Sequence, residues 1–243
     1  MATSIGPSVQ IAAQGVFTTS TVQQHVLGEK AFTPDGRTFR YVKAGASNLV
    51  SGNVIQSPAV VANHVNLTPT AAVAVGDITI TVTLGATAAT ANQYAGGYLV
   101  VEKGTTGAGQ TLLIKSHPAA ASSATLLLTL SDAFVVATSG TVTVSLVASN
   151  YNGVIQTPVT TLTGTPVGVA VVIIPAASFG WICSRGITAV TADGIITQGT
   201  VGVAVPSAAA GAAKVTAATL FQIGTFCKTT IDTQQTPCYV TLD

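Results

Sequence analysis

Charge is what this chain of 243 residues has least of: nine Lys and Arg against eight Asp and Glu, 7% of the sequence. An ordinary soluble domain carries roughly 25%. The net charge of +1 leaves no electrostatic footprint for nucleic acid, whose phosphates call for clustered cations. Aromatic residues are almost as scarce, at 5%, with a single Trp. Long apolar runs are missing too. The longest, Val167 to Ile174, meets Pro175 well short of the roughly 18–20 residues a membrane helix needs, so no membrane partner is expected. Residues 1–28 hold no Lys or Arg and no long apolar stretch, so no secretory signal is read there. The three cysteines, Cys183, Cys227 and Cys238, are odd in number and lack CxxC spacing. They read as buried small hydrophobes rather than a disulfide framework.

What the chain does have is β-branched residues: 38 Thr, 32 Val and 15 Ile, together 85 of the 243. Such side chains lose χ1 freedom in helices and pack well on pleated sheet. With 48% hydrophobic residues a disordered chain is excluded. The expected fold class is all-β, with two small β-barrel or sandwich modules.

Composition shifts along the chain divide it further. Residues 1–28 are uncharged apart from His25 and show no sustained periodicity, which reads as an extended arm or a frayed terminus. Residues 29–43 then concentrate Glu29, Lys30, Asp35, Arg37, Arg40 and Lys43. Within them Thr33-Pro34-Asp35-Gly36-Arg37 is a turn, because Pro presets φ and Gly accepts φ > 0. A half-buried strand follows over 37–42. Further strands are expected at Ile78–Leu84, Gly97–Lys103, Gln110–Lys115, Thr125–Leu130 and Thr141–Val147. A second set comprises Val167–Ile174, Phe179–Cys183, Gly186–Val190, Gly194–Thr197, Thr200–Val205, Lys214–Ala218, Phe221–Cys227 and Cys238–Leu242. Asp193-Gly194 reads as a hairpin pair. Ala208–Ala213 reads as one helical turn or a small-residue loop.

One internal echo bears on domain organisation. Ala46-Ser47-Asn48 leads to Val54-Ile55-Gln56-Ser57-Pro58, and a hundred residues later Ala148-Ser149-Asn150 leads to Val154-Ile155-Gln156-Thr157-Pro158. Chance similarity is one account. The other is a pair of matching segments at the entry and exit of an inserted domain, a tolerated arrangement where chain ends lie close together. The expected organisation is an arm at 1–28, a discontinuous β-barrel module from 29–60 plus 154–243, and an inserted β module at 61–153.

Motifs that carry chemistry are few. Gly104-Thr105-Thr106-Gly107-Ala108-Gly109-Gln110-Thr111 has P-loop spacing, but Gln110 stands where the phosphate-binding Lys belongs. The flanks read as strand–loop–strand, so a glycine hairpin is expected. His25, His64 and His117 are scattered singly, with no metal-ligand spacing. No GxSxG, HExxH or Cys–His signature occurs. No enzymatic activity, catalytic residue, metal or cofactor is expected. Asn66-Leu67-Thr68 is a glycosylation sequon by pattern alone. For partner binding the candidates are Arg37, Arg40 and Lys43, and Trp181. The cations read as a solvated face or as an ionic contact to an acidic partner, and the Trp as a core residue or an interface anchor.

The charge deficit has its own implication. Between Asp132 and Arg185 lie 52 residues without a charge. Natural sheets blunt their edges with Lys, Pro and bulges, and neutral β-branched edges left bare aggregate. Closure into barrels or coverage by partner subunits is therefore expected, with a symmetric homo-oligomer the simplest solution.

Several segments resemble structural proteins of tailed-bacteriophage virions, in particular the small β-barrel capsid decoration, or cement, proteins. They are Thr33–Gly45 (TPDGRTFRYVKAG), Gly164–Ala170 (GTPVGVA), Phe179–Gly186 (FGWICSRG) and the stretch through Gly199 and Val201–Pro206 to Ile223-Gly224. The resemblance covers about half the chain and leaves out 61–153. It implies a β-tulip or barrel that binds the major capsid protein lattice, often as a trimer, and bridges neighbouring capsomers. It also implies a place on the capsid exterior, after assembly in the host cytoplasm. A head-fibre adhesin for host polysaccharide, or another shell or tail subunit, are the alternatives.

Overall fold

Alternation of Thr with aliphatic residues, broken by Gly and Asn where the chain reverses, builds an almost wholly β molecule. The computed structural model describes residues 9–12, 15–203, 209–215 and 221–243. The first four strands are β1 (Val9–Gln10), β2 (Lys30–Phe32), β3 (Thr38–Ala44) and β4 (Val54–Gln56). Then come β5 (Thr79–Thr83), β6 (Tyr98–Lys103), β7 (Thr111–Ser116), β8 (Thr125–Leu130) and β9 (Thr143–Val147). The last six are β10 (Asn152–Gln156), β11 (Pro166–Ala170), β12 (Phe179–Thr191), β13 (Val201–Val203), β14 (Gln222–Phe226) and β15 (Gln235–Thr241). Two compact units result: a host unit of the chain up to Pro58 together with Asn150–Asp243, and a unit of Ala59–Ser149 that interrupts it. The sequence reading puts these cuts at 60/61 and 153/154.

The interrupting unit is a five-stranded antiparallel sheet in the order β5-β8-β7-β6-β9. The segment around Leu67–Thr70 closes it into a barrel by bonding both edge strands. Leu67 and Val144 exchange backbone bonds of 2.7 and 2.9 Å, and Thr70 N–H donates to Thr81 O at 2.9 Å. Tyr94, Leu99, Ile114, Leu126, Leu128 and Phe134 fill the interior.

In the host unit the pairings also return on themselves. The ring runs β3-β10-β4-β11-β12 and closes through β3–β12. Val42, Ile55, Val154, Val167 and Ile182 belong to one buried cluster, with strands from all sides of that ring. Between Cys183 and Arg185 a bulge interrupts the β3 pairing, and bulges bend a strand. Beyond it β12 pairs along Arg185–Thr191 with β15, which continues to β14 and β13. Phe226, Cys238, Val190 and Ile223 make a further core there. At Gly224, φ is +154° and a Cβ would lie 2.1 Å from Tyr239 O, so the β14–β15 approach requires glycine.

Several expectations change. Phe179–Cys183 and Gly186–Val190 are one strand. Gly194–Thr197 is not a strand, and Asp193-Gly194 joins no paired strands, because β12 pairs with β15 instead. Of Thr200–Val205 and Lys214–Ala218, residues 204–205 and 216–218 lie outside the described residues, as does Ala208. Cys183 and Cys238 are buried, which pushes both thiols up to about 12, but Cys227 is exposed. The expected arm, where described, folds back on its own unit. Val9 is registered with Ala31, Ser20 bridges Phe179, and Val16 is fully buried. Residues 1–8 and 13–14 of that arm lie outside the described residues.

Candidate functional site

The residues singled out from the sequence do not assemble into one patch. The turn Thr33–Gly36 closes with Gly36 N–H donating to Thr33 O at 2.9 Å, and delivers Arg37 to the head of β3. Arg37 Nε then pairs with Asp35 Oδ2 at 2.8 Å, and its guanidinium lies over the Phe39 ring. The Thr33 hydroxyl, which donates to Asp35, leads the causes that lower the Asp35 carboxyl below its usual range. Arg40 and Lys43, three residues apart on a strand, project to opposite faces. Lys43 Nζ sits over Phe179, 5.6 Å from the ring centre, while Arg40 lies over Tyr151.

Arg40 is held by a fork. Its Nε and Nη2 donate to the two carboxylate oxygens of Asp243 at 3.0 and 2.7 Å, and Nη1 donates to Gly28 O at 2.9 Å. Lys30 Nζ approaches the same carboxylate at 3.4 Å. Burial pushes the Asp243 carboxyl up, but the bonds and charges of Arg40 and Lys30 outweigh it, and the net shift is downward. Arg40 and Lys30 therefore act as internal fasteners.

Trp181 takes the core role. It is 2% exposed, packs at 5.0 Å against both Tyr41 and His25, and is enclosed by Val16, Phe39 and Cys183. A side chain so covered offers nothing to a partner surface, which corrects its reading as an interface anchor.

The structure brings forward a different surface. Along β12 and β15, Ile187 and Tyr239 are cross-strand partners, as are Ala189 and Pro237, and all four are exposed. Ile187 is 55% and Tyr239 43% exposed. Ile187, Ala189 and Pro237 also line a groove of about 340 Å³ whose other walls include Phe17, Arg37 and Val171. Two of its polar wall residues are already engaged. Gln235 Nε2 donates to Ser51 O at 2.7 Å, and Ser51 Oγ donates to Val171 O at 3.2 Å. What remains for a visitor is largely apolar surface with Arg37 in one wall; Arg185, two residues before Ile187 on β12, is exposed and has no carboxylate partner among the described residues. Such a face accepts another apolar surface and offers little to a small polar ligand.

The Gly104–Thr111 loop is the β6–β7 hairpin connection, not a strand-to-helix phosphate loop. Gln110 clamps the neighbouring loop: Oε1 accepts from Val135 and Val136 N–H at 3.0 and 3.1 Å, and Nε2 donates to Gly107 O and Val136 O. Among the described residues no group of three or more His, Cys, Asp or Glu gathers to hold a metal, and no helix is long and apolar enough to cross a membrane. Sequence reasoning missed Ile187 because an exposed β-branched residue in an apolar strand looks like its buried neighbours; Tyr239 could be counted among the aromatics available to a ligand, but not placed beside it. Comparison with known protein families, curated proteins and solved structures finds no match.

Proposed function

We propose that the protein is a non-enzymatic structural component of a bacteriophage virion. It binds the outer surface of the capsid through the major capsid protein, as a homo-oligomer and most simply a trimer, and stabilises the shell by bridging capsomers. The observation that carries this reading is the exposed apolar face of β12 and β15. Ile187, Ala189, Pro237 and Tyr239 are all exposed on adjacent strands, while Lys30, Arg37 and Arg40 are engaged in ion pairs within the chain. A neutral apolar face with a sparse cationic rim suits a permanent protein contact better than transient ionic steering. Ligation of an assembled lattice stabilises it by mass action, and an oligomeric binder adds avidity.

Mixing the purified chain with empty tailed-phage shells and sedimenting them tests the reading. Co-sedimentation at a fixed ratio to capsid protein is expected, with loss of binding in the double variant Ile187→Asp, Tyr239→Asp and no loss of β-sheet signal by circular dichroism. Absence of binding, combined with affinity for a host polysaccharide, replaces the reading with that of a head-fibre adhesin. Deleting the arm is a poor test, because Val16 and His25 cover Trp181 and their removal exposes the core.

A further inference from the structure

The barrel unit places its two histidines, 53 positions apart in sequence, against one tyrosine. His64 ends a short 3₁₀ turn, Ala62–His64, and is fully buried. Its Nε2 lies 2.9 Å from Thr87 O and its Nδ1 2.5 Å from the Tyr94 hydroxyl. A carbonyl can only accept, so Nε2 carries the proton and Nδ1 accepts from Tyr94. His117 adopts the other tautomer. The backbone N–H of Tyr94 donates to its Nε2 at 3.0 Å, and its Nδ1 donates to Pro118 O at 2.8 Å. With an N–H aimed at it, Nε2 must be bare. The residue is 4% exposed, so a proton added to the ring is poorly hydrated as well as opposed by the Tyr94 N–H.

These bonds hold two chain segments together. Asn92 N–H donates to His117 O and the Asn92 side chain accepts from His117 N–H, each at 3.0 Å. Ala89 and Ala120 exchange a pair of backbone bonds at 2.9 Å. The groups that face His117 are few. Tyr94 presents its ring at 5.8 Å and its N–H, and the His64 imidazole lies on the far side of Tyr94. Lys115, two residues back on β7, is exposed. No carboxylate interacts with His117 among the described residues, so nothing there balances a positive ring.

We propose that this arrangement is an acid-sensitive latch: a proton taken up at His117 Nε2 removes the acceptor of the Tyr94 N–H and releases residues 89–94 from residues 117–120. The direction of the pH response follows from burial, which lowers the proton affinity of His117 below that of a free histidine. The bond to Pro118 opposes this, without reversing it. A group depressed in the folded state contributes its full stability above the unfolded value, about 6.5. That contribution is lost as pH falls from there through the lower folded value.

The test uses the full chain labelled with ¹⁵N, followed by NMR from pH 8 to 5. The imidazole spectrum at pH 8 is expected to show His117 as the Nδ1–H tautomer; the Nε2–H tautomer overturns the proposal. Exchange of the Tyr94 amide, corrected for its intrinsic pH dependence, is expected to accelerate below pH 6.5 by up to about tenfold per pH unit, the slope of a one-proton linkage. The Ile182 amide in β12 serves as the reference. A flat Tyr94 profile overturns the latch. His117→Gln supplies an acceptor that does not titrate and is expected to abolish the acid response; an unchanged response in that variant also overturns it. Should the variant not fold, the wild-type tautomer and exchange profile still decide.

Discussion

The two units bury their strands in different ways. In the barrel of Ala59–Ser149 most strands alternate: β5 sends Ile80 and Val82 inward and leaves Thr79 and Thr83 exposed, and β6 and β7 follow the same pattern over their first four residues. In the host unit β4 and β11 are buried at every position, and β3 leaves only Arg40 and Lys43 half-exposed. The reason is topological. The barrel strands have one face inside and one in solvent. The ring strands of the host unit have their inner face on the Val42–Ile182 core, while β3 and the first half of β12 carry a second core on the outside, roofed by residues 16–27. A period of two reports a solvent boundary, and it vanishes where no boundary exists.

The sharpest way to break this comparison is Trp181→Ala. Emptying the outer core of the host unit is expected to cost about 3–5 kcal/mol in urea unfolding, with amide protection lost first in β3 and β12. Equal loss across β5–β9 would mean that the two cores are not separate. The reciprocal change, Leu128→Ala, is expected to cost about 2–5 kcal/mol and to strip protection from β5 and β7 instead.

A smaller effect is expected at Gln110→Ala, which leaves two backbone N–H groups without their acceptor. The loop is exposed and water can replace the lost acceptor, so the expected cost is about 1–2 kcal/mol for the set of bonds, read by thermal denaturation together with faster exchange at Val135 and Val136. Smallest is Asp243→Asn, about 1 kcal/mol because the pair is partly solvated and screened by salt. Asp243 is depressed in the folded state, so its contribution is present above the ordinary carboxylate range and fades as pH falls below it. The Asn variant is therefore expected to match wild type in urea melts near pH 2 and to fall behind it near pH 7.

Much of the barrel is legible in the sequence. Thr125–Leu130 coincides with the strand read from the residues, and Tyr98–Lys103 and Thr143–Val147 differ only at their starts. In the host unit β1, β2, β4 and β10 escape a pattern-based reading, being two to five residues long. The buried Gln56 disguises β4 further. Its amide is engaged by Thr163, at 2.7 Å, a partner 107 positions away that no local pattern announces. The candidate docking face was hidden for a related reason. Nothing in Gly186–Val190 tells which of Ile187 and Val190 meets solvent, and only the bulge after Cys183 and the pairing with β15 decide it. Of the residues that the sequence did bring forward, Trp181 is core and Arg37 and Arg40 are engaged by carboxylates of the same chain.

The repeated Val-Ile-Gln segments turn out to be neighbours. Ile155 is registered with Gln56 and Gln156 with Ile55, so β4 and β10 form an antiparallel pair with approximate two-fold symmetry. The ninety-odd intervening residues thus depart from and return to adjacent rungs of one ladder. Replacing them with a two-residue loop would leave an everyday hairpin in the ring, so this junction is a socket into which evolution, or an engineer, can plug other cargo without rethreading the rest.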